Sequence, residues 1–389
     1  MIIRYLTSGE SHGKALTGIL EGMPAGLELS EEYINQQLKR RQLGYGRGGR
    51  MKIETDRVKI LSGVRFGKTL GSPITFVIEN KDWENWKETM SISPTESDIE
   101  KVTIPRPGHA DFAGTIKYGH DDIRNVLERS SARETAVRVA VGSAARRLLE
   151  EFEIFIVSHV IQIKDVRSTL RLENIGLKEI NVLADKSPVR CLDKKVELQM
   201  MNAIDDAKTN GDSVGGIAEI IASGLPIGLG SHVHWDRRMD GQIAQAMMSI
   251  PAIKGVEIGA GFQSASLSGS QMHDEIFYDD KSKDSRKMGF YRKTNNAGGI
   301  EGGITNGEPI VLRIAMKPIP TLTIPLNSVD IFTKAPAKAH KERSDTCAVP
   351  SAAVVAESVL ALVLANAFLE KYGSDNIEEI KDLLLLKKK

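Results

Sequence analysis

GHDDIRNVLERSSARET, residues 119–135, leads directly into TAVRVAVGSAARRLLEEF, residues 135–152. Asp121 and Asp122 stand where a helix would begin, and acidic side chains suit the positive end of a helix dipole. Ile123, Val126 and Leu127 fall at i, i+3 and i+4, which makes one apolar face. Arg129-Ser130-Ser131-Ala132-Arg133 then sets two guanidinium groups around two hydroxyls. From Thr135 the chain is apolar around most of a helical circumference until charges return at Arg146, the pattern of a helix buried in a sizeable domain. The start of that helix brings backbone N–H groups, two arginines and two hydroxyls to the edge of a core. Such a start suits an anion, above all a phosphate. It equally suits a serine-capped helix whose arginines pair with carboxylates, and the segment by itself does not choose between them.

The rest of the chain narrows the choice. Its 389 residues, 41% of them hydrophobic, are ample for a large core, as one big domain or two of ordinary size. Lys+Arg 52 against Asp+Glu 51 leaves a formal net charge of +1, which argues against a general nucleic-acid or membrane-surface binder. Cys191 and Cys347 are too few for a disulfide framework or a cysteine-rich zinc site. The opening MIIRYLTSGESHG has no long apolar core and no small-residue cleavage pattern, so a cytoplasmic protein is expected. The longest apolar stretch, 352–369, is broken by Glu357 and Asn366 and reads as a buried helix rather than a membrane span.

Short motifs stand out along the chain. Ile2 to Leu6 reads as a strand running into Gly9-Glu10-Ser11-His12-Gly13, where a histidine in a loop after a strand is either a working residue or a hydrogen-bonded turn residue. Ser30 caps a helix through about Arg41. Residues 40–50, RRQLGYGRGGR, match G-x-G-x-x-G in form, but a helix precedes them and the strand-like Met51-Lys52-Ile53-Glu54 follows, so the dinucleotide reading fails. What remains is a glycine loop carrying Arg40, Arg41, Arg47 and Arg50, suited to phosphate or carboxylate oxygens. Strands are expected at about 57–62 and 73–79, and a polar surface excursion with Trp83 and Trp86 at 81–103. In Arg106-Pro107-Gly108-His109-Ala110-Asp111, Pro107 and Gly108 enforce a turn that presents His109.

Further on, strands at 154–164 and 217–223 flank a helix at about 194–209 with a stripe of Leu198, Met201, Ile204 and Ala207, capped near Gly211. His232 and His234 share one face of an expected strand, but no third ligand follows at a recognisable spacing, and no metal is assigned. Residues 271–294 read as a charged loop, 295–307 as a glycine-rich segment without a P-loop ending, and 317–325, KPIPTLTIP, as a proline-punctuated strand. Arg343-Ser344-Asp345-Thr346-Cys347 leads into a last helix with Pro350 in its first turn.

GESHG, RPGHAD followed by RSSARET, and RSDTCAVP, in that order, resemble the characteristic segments of the chorismate synthase family; GYGRGGRMKIE and MSIPAIKGVEIG resemble it too. The chain departs from the pattern in two places. Many members carry a glycine triplet where this chain has Val126-Leu127-Glu128, and a histidine where it has Ser344. Neither departure falls on a residue to which a role is assigned.

The resemblance implies an α+β fold, a single large domain with long buried helices sandwiched between antiparallel sheets, and a homotetramer. Loops near 40–50, 81–103 and 271–294 are expected to be mobile. It implies loss of phosphate and a ring hydrogen from 5-enolpyruvylshikimate 3-phosphate by anti-1,4 elimination, giving chorismate with reduced FMN as cofactor. NADPH enters only as a reductant for the flavin. The catalytic residues it implies are His12 for the phosphate, His109 for the reduced flavin, Asp345 for the ring hydrogen, and Ser11 and Ser131 as relay hydroxyls. Flavin contacts fall on Arg129, Ser130, Ser131, Pro251, Ala252, Gly302, Lys317, Pro318, Ile319, Pro320, Thr321 and Arg343. The substrate's phosphate and two carboxylates call for Arg41, Arg47, Arg133 and Arg106, with Arg129 and Arg343 near by. Two other classes stay open, an NADPH-dependent flavin reductase and an RNA binder using residues 40–50; the second leaves GESHG, RPGHAD and RSDTC without a purpose. No nucleic-acid or membrane partner is expected.

Overall fold

The computed structural model describes residues 2–48, 54–170, 172, 175–342, 344–373 and 375–386. Two antiparallel sheets face each other across a layer of helices. The first holds β1 (Arg4–Ser8), β2 (Ala15–Glu21), β3 (Val58–Ser62) and β4 (Ile74–Glu79) in the order β1-β2-β4-β3. The second holds β5 (Phe155–Ile163), β6 (Val166–Arg167), β7 (Gly216–Ser223), β8 (Ile253–Ile258) and β9 (Ile310–Met316) in the order β8-β9-β7-β5-β6. Between them run α1 (Glu31–Gln42), α2 (Thr135–Glu151) and α3 (Val349–Tyr372). α2 lies against β2 and β4, α3 against β5 and β7, and α1 packs on both long helices. This is the α+β sandwich of buried helices that the resemblance implies.

Strand alternation explains how the first sheet meets its helix. Leu16 and Leu20 on β2 and Ile74, Phe76 and Ile78 on β4 are fully buried, while Thr17, Ile19, Thr75 and Val77 alternate with the inward positions and are more exposed. Small residues set the spacing of the layers. A Cβ on Gly142 of α2 would lie 2.4 Å from the Ser358 carbonyl oxygen of α3, so only glycine permits this crossing. Among the described residues α3 alone is long and apolar enough to cross a membrane, yet 94% of its apolar window is buried inside the fold.

One charge stands in the middle of that helix. Glu357, wholly buried, takes Arg40 Nη1 at 2.8 Å and Arg40 Nη2 at 2.9 Å, with Arg146 Nη1, Arg190 Nη2 and the Ser158 hydroxyl also on its oxygens. Burial works to raise its pKa, but the charges of Arg40, Arg146 and Arg190 outweigh that and hold it well below the usual carboxylate range. Three guanidinium groups from distant segments thus share one carboxylate, fixing α1, α2 and α3 to one another.

Several elements differ from the sequence reading. The first strand begins at Arg4 rather than Ile2, because the Ile2 and Ile3 N–H groups donate to Asn366 Oδ1 of α3 at 2.8 and 3.0 Å. In the helix Lys194–Thr209 the buried face is Met200, Ala203, Ile204 and Ala207, while Leu198 is 63% exposed. Six residues from Leu198 to Ile204 turn the helix to about 120° away, off the inner face. His232 and His234 are in bends before a short 3-10 turn, not on a strand, and no metal-binding group of histidine, cysteine and carboxylates occurs among the described residues. KPIPTLTIP is irregular: β9 stops at Met316, since Pro318 and Pro320 have no N–H to extend a ladder. Residues 271–294 contain a hairpin, Ile276–Tyr278 paired with Phe290–Arg292. The reading of Met51-Lys52-Ile53 as a strand lies outside the described residues.

Candidate active site

A cleft of about 580 Å³ opens where the N-terminal ends of α2 and α3 come together. Ser130 to Glu134, just ahead of α2, wall it with Thr135 and Arg138 of α2, and the cap Ala348 with Ser351, Ala352 and Val355 of α3, so the positive ends of both helix dipoles face it. Residues 11–12 and 250–252, most of 106–110 and 316–321, and Arg41, Arg47, Arg129 and Asp345 also line it. Its size is that of a small-ligand pocket.

His12 sits in this wall with its side chain 9% exposed, held by a residue far from it in the chain, Glu128. Glu128 Oε2 accepts from the His12 backbone N–H at 2.7 Å, and Oε1 lies 2.9 Å from His12 Nδ1. The Ser11 N–H donates to the Glu128 carbonyl at 3.0 Å. Arg124 Nη1 donates to Glu128 Oε1 at 3.2 Å, and Trp86 stacks on the imidazole with ring centroids 4.0 Å apart. Burial pushes Glu128 up, but its bonds to His12 and the charge of Arg124 leave it below its ordinary pKa. Two expectations are corrected here. Trp86 packs on a site histidine rather than belonging to a mere surface excursion, and the departure at Glu128 does touch a residue with an assigned role.

His109 is presented by the same kind of device. Pro107 and Gly108 occupy the centre of a turn closed by the His109 N–H to the Arg106 carbonyl at 3.2 Å, with Gly108 at φ +81, the conformation that a type II turn demands of its third residue. His109 Nδ1 lies 2.5 Å from Asp111 Oδ1. Arg106 Nη2 lies 3.1 Å from the same ring nitrogen, but the shorter carboxylate contact requires a proton on Nδ1. Arg106 also binds Asp111 Oδ2 through Nε at 2.8 Å and the Thr321 hydroxyl through Nη1 at 2.9 Å. Burial acts to raise Asp111; its bonds to His109 and Arg106 win and hold it far below the usual range. Arg106 is therefore a brace for the histidine turn.

The other arginines divide by what their nitrogens already hold. Arg40 belongs to the Glu357 cluster and is not on the cleft. Arg41 lines the cleft, yet Nε binds the Thr135 hydroxyl at 3.0 Å, Nη1 binds Asp56 at 3.2 Å and Nη2 binds the Ala132 carbonyl at 3.1 Å. Burial pulls its guanidinium down to about 10, with Asp56 opposing, so it stays charged at neutral pH. Arg133 holds Asn80 and Asp56, but its Nη2 is buried without a hydrogen bond among the described residues, as is Arg47 Nε. Arg47 pairs with Asp345 at 2.7 Å. Arg47 thus keeps one donor, Arg133 Nη2 lies 3.5 Å from Glu54 Oε2, and Arg41 is engaged at Nε, Nη1 and Nη2 as a structural tie. Arg40, Arg41 and Arg47 are each paired with a carboxylate.

Asp345 binds the Gly48 N–H at 2.6 Å as well as Arg47, and it does not cap α3, whose N-cap is Ala348. Ser11, Ser130, Ser131, Arg129, Pro251, Ala252, Lys317, Ile319, Pro320 and Thr321 all line the cleft. Gly302 and Pro318 do not. Gly302 is in the turn between residues 300–301 and 304–305, and Pro318 lines a shallow groove with residues 162–165 and 210–217. Arg343 and Arg50 lie outside the described residues. The sequence reading missed Glu128, Trp86, Asp111 and Arg138; only Asp111, two residues from His109 inside the quoted RPGHAD, carried a local signal.

Fold and site together define an enzyme with two carboxylate-held histidines and several arginines on one cleft. The comparisons with known proteins agree. Residues 3–369 match the chorismate synthase family, and the chain belongs to that family, whose members are lyases. It is 58% identical over 383 residues to chorismate synthase of a Geobacillus species, covering 98% of this chain and 97% of the relative. It is 59% identical over 384 residues to that of Geotalea daltonii, at 98% and 97% coverage. A crystal structure of a chorismate synthase superposes with a TM-score of 0.78 at 45% identity, covering 100% of this chain and 97% of that one.

Proposed function

We propose that this chain makes chorismate from 5-enolpyruvylshikimate 3-phosphate by anti-1,4 elimination, breaking the C–O bond to phosphate and removing a ring hydrogen. The observation that carries the proposal is the pairing of two histidines, each tied at Nδ1 to a buried carboxylate, with helix N-termini and spare arginine donors around one cleft.

Each residue has a task in this reading. Arg47 and Arg133 receive the substrate's anionic groups through Arg47 Nε and Arg133 Nη2, which make no hydrogen bond among the described residues. A charge-assisted bond of this kind contributes about 1.5–3 kcal/mol, enough to orient the substrate. His12 gives a proton to the departing phosphate, because a dianionic leaving group departs poorly without one. Ser11 and Ser131 sit beside it as hydroxyls able to pass a proton on.

Reduced FMN, when bound, lends the substrate an electron that returns by the end of the reaction. The cleft fits such a group: residues 129–131, 251–252 and 319–321 present hydroxyls, flat apolar surface and a guanidinium to a ring system and a phosphate. With the flavin bound, His109 would stand beside its ring and Asp345 would accept the proton that leaves as the ring hydrogen. The reading includes a homotetramer in the cytoplasm, which sedimentation of the purified protein tests.

The deciding experiment is anaerobic turnover of the phosphorylated substrate with chemically reduced FMN. One phosphate released for each chorismate formed is the expected result. A folded, flavin-binding protein that releases no phosphate would overturn the proposal.

A further inference from the structure

We infer that Glu128 is the positioning residue for His12: it fixes the imidazole in the tautomer with Nδ1 protonated, so that Nε2 alone exchanges protons with the cleft. The inference rests on the reading of His12 as the proton donor to phosphate. It goes beyond that reading by assigning a role to a position where the chain departs from the pattern of many relatives.

The geometry leaves the ring little freedom. Glu128 is 2% exposed, and its two oxygens accept from the His12 backbone N–H at 2.7 Å and meet Nδ1 at 2.9 and 3.1 Å. Backbone and ring of one residue are thus gripped by one carboxylate. Arg124 fixes that carboxylate in turn, at 3.2 Å, and sits over the Trp86 ring at 4.9 Å. Trp86, stacked on the imidazole at an interplanar angle of 25°, blocks the ring from turning over. An ionised carboxylate only accepts, so Nδ1 must carry hydrogen. Its low pKa, set by His12 and Arg124 against the opposing effect of burial, keeps it ionised.

The consequence is directional. Protonated His12 presents Nε2–H to the cleft, and after giving up that proton it holds the same pose with a lone pair there. No ring flip is needed before the next proton arrives. His109 shows the same construction, with Asp111 at Nδ1 and Arg106 behind the carboxylate. A carboxylate orients a working histidine in this way in other enzymes, and its amide replacement favours the wrong tautomer.

Glu128→Gln tests this. Its amide oxygen can keep the backbone N–H, which turns the NH₂ toward Nδ1 and favours the opposite tautomer. The expected result is a folded protein with flavin binding and KM within a few-fold of the parent and kcat lowered by roughly 10²-fold. Combining it with His12→Ala should give a variant no slower than His12→Ala alone. In ¹⁵N-histidine NMR of the parent protein above neutral pH, the resonance that His12→Ala removes should report a protonated Nδ1.

Normal kcat in Glu128→Gln with slow His12→Ala, or independent losses that multiply in the double variant, would overturn the inference and leave the role of His12 standing. An unprotonated Nδ1 in the parent would overturn it even if Glu128→Gln failed to fold. Near-normal turnover of folded His12→Ala would instead remove the underlying reading, and the inference with it.

Discussion

Asp345 gives one carboxylate oxygen to the Gly48 N–H at 2.6 Å and the other to Arg47 Nη1 at 2.7 Å, holding the 44–48 segment to the approach to α3. The same segment is tied down by the Tyr45 N–H to the Pro188 carbonyl and by the Thr346 N–H to the Gly46 carbonyl. Asp345→Asn keeps an acceptor for Gly48 but loses both the ion pair and the ability to take a proton. We expect a stable variant that binds flavin and substrate and turns over at least ~10²-fold more slowly. A thermal melt with a single-turnover assay checks this; a lowered melting temperature with normal turnover would make Asp345 a loop anchor only. At this scale the motifs were legible where a residue and its turn are contiguous, as in Pro107-Gly108-His109. Partners across the chain were not: Glu128 is 116 residues from His12, and nothing in a single sequence marks that pair. Arg41 lies in the last turn of α1 and Arg47 follows six residues on, and only contacts such as Thr135 and Asp56 mark Arg41 as the brace.

The elements show where periodicity succeeds and where it misleads. α3 was legible as a buried helix because its apolar residues surround it, and α1 because Ser30 caps it, accepting from the Tyr33 N–H at 3.2 Å. Glu357 looked like an interruption of that apolar run, whereas it is where three elements are joined. Removing one member of a buried ion-pair cluster leaves uncompensated charge, at a cost of about 3–5 kcal/mol. Glu357→Ala should therefore lower unfolding stability by that amount in a denaturant titration, and a loss within ~0.5 kcal/mol would refute the joining role. The sign with pH follows from its depressed folded-state pKa. Its stabilising contribution is fully present above the ordinary glutamate value of about 4.3 and is lost as pH falls below that toward the folded value. The parent should thus lose more stability than Glu357→Ala between neutral pH and strong acid.

At the scale of the molecule, the cleft walls come from residues 11 to 355, and they meet because α2 and α3 begin side by side. Composition bounded this to a large mixed fold with long buried helices. The order of the two sheets depends on pairings such as β7 between β5 and β9, which no local pattern encodes. A ligand seated between two helix starts has a consequence for exchange with solvent. Separating α2 from α3 dismantles its site, so the bound complex must shed the ligand before amides deep in α3 can meet heavy water. Flavin alone, held at a hundredfold excess over its Kd, would add about 2.7 kcal/mol to global unfolding. Deuterium uptake at residues 359–369, which line no part of the cleft, should then slow by roughly a hundredfold. Slowing confined to 44–48 would mean that the ligand leaves through a local opening and the central helices never part.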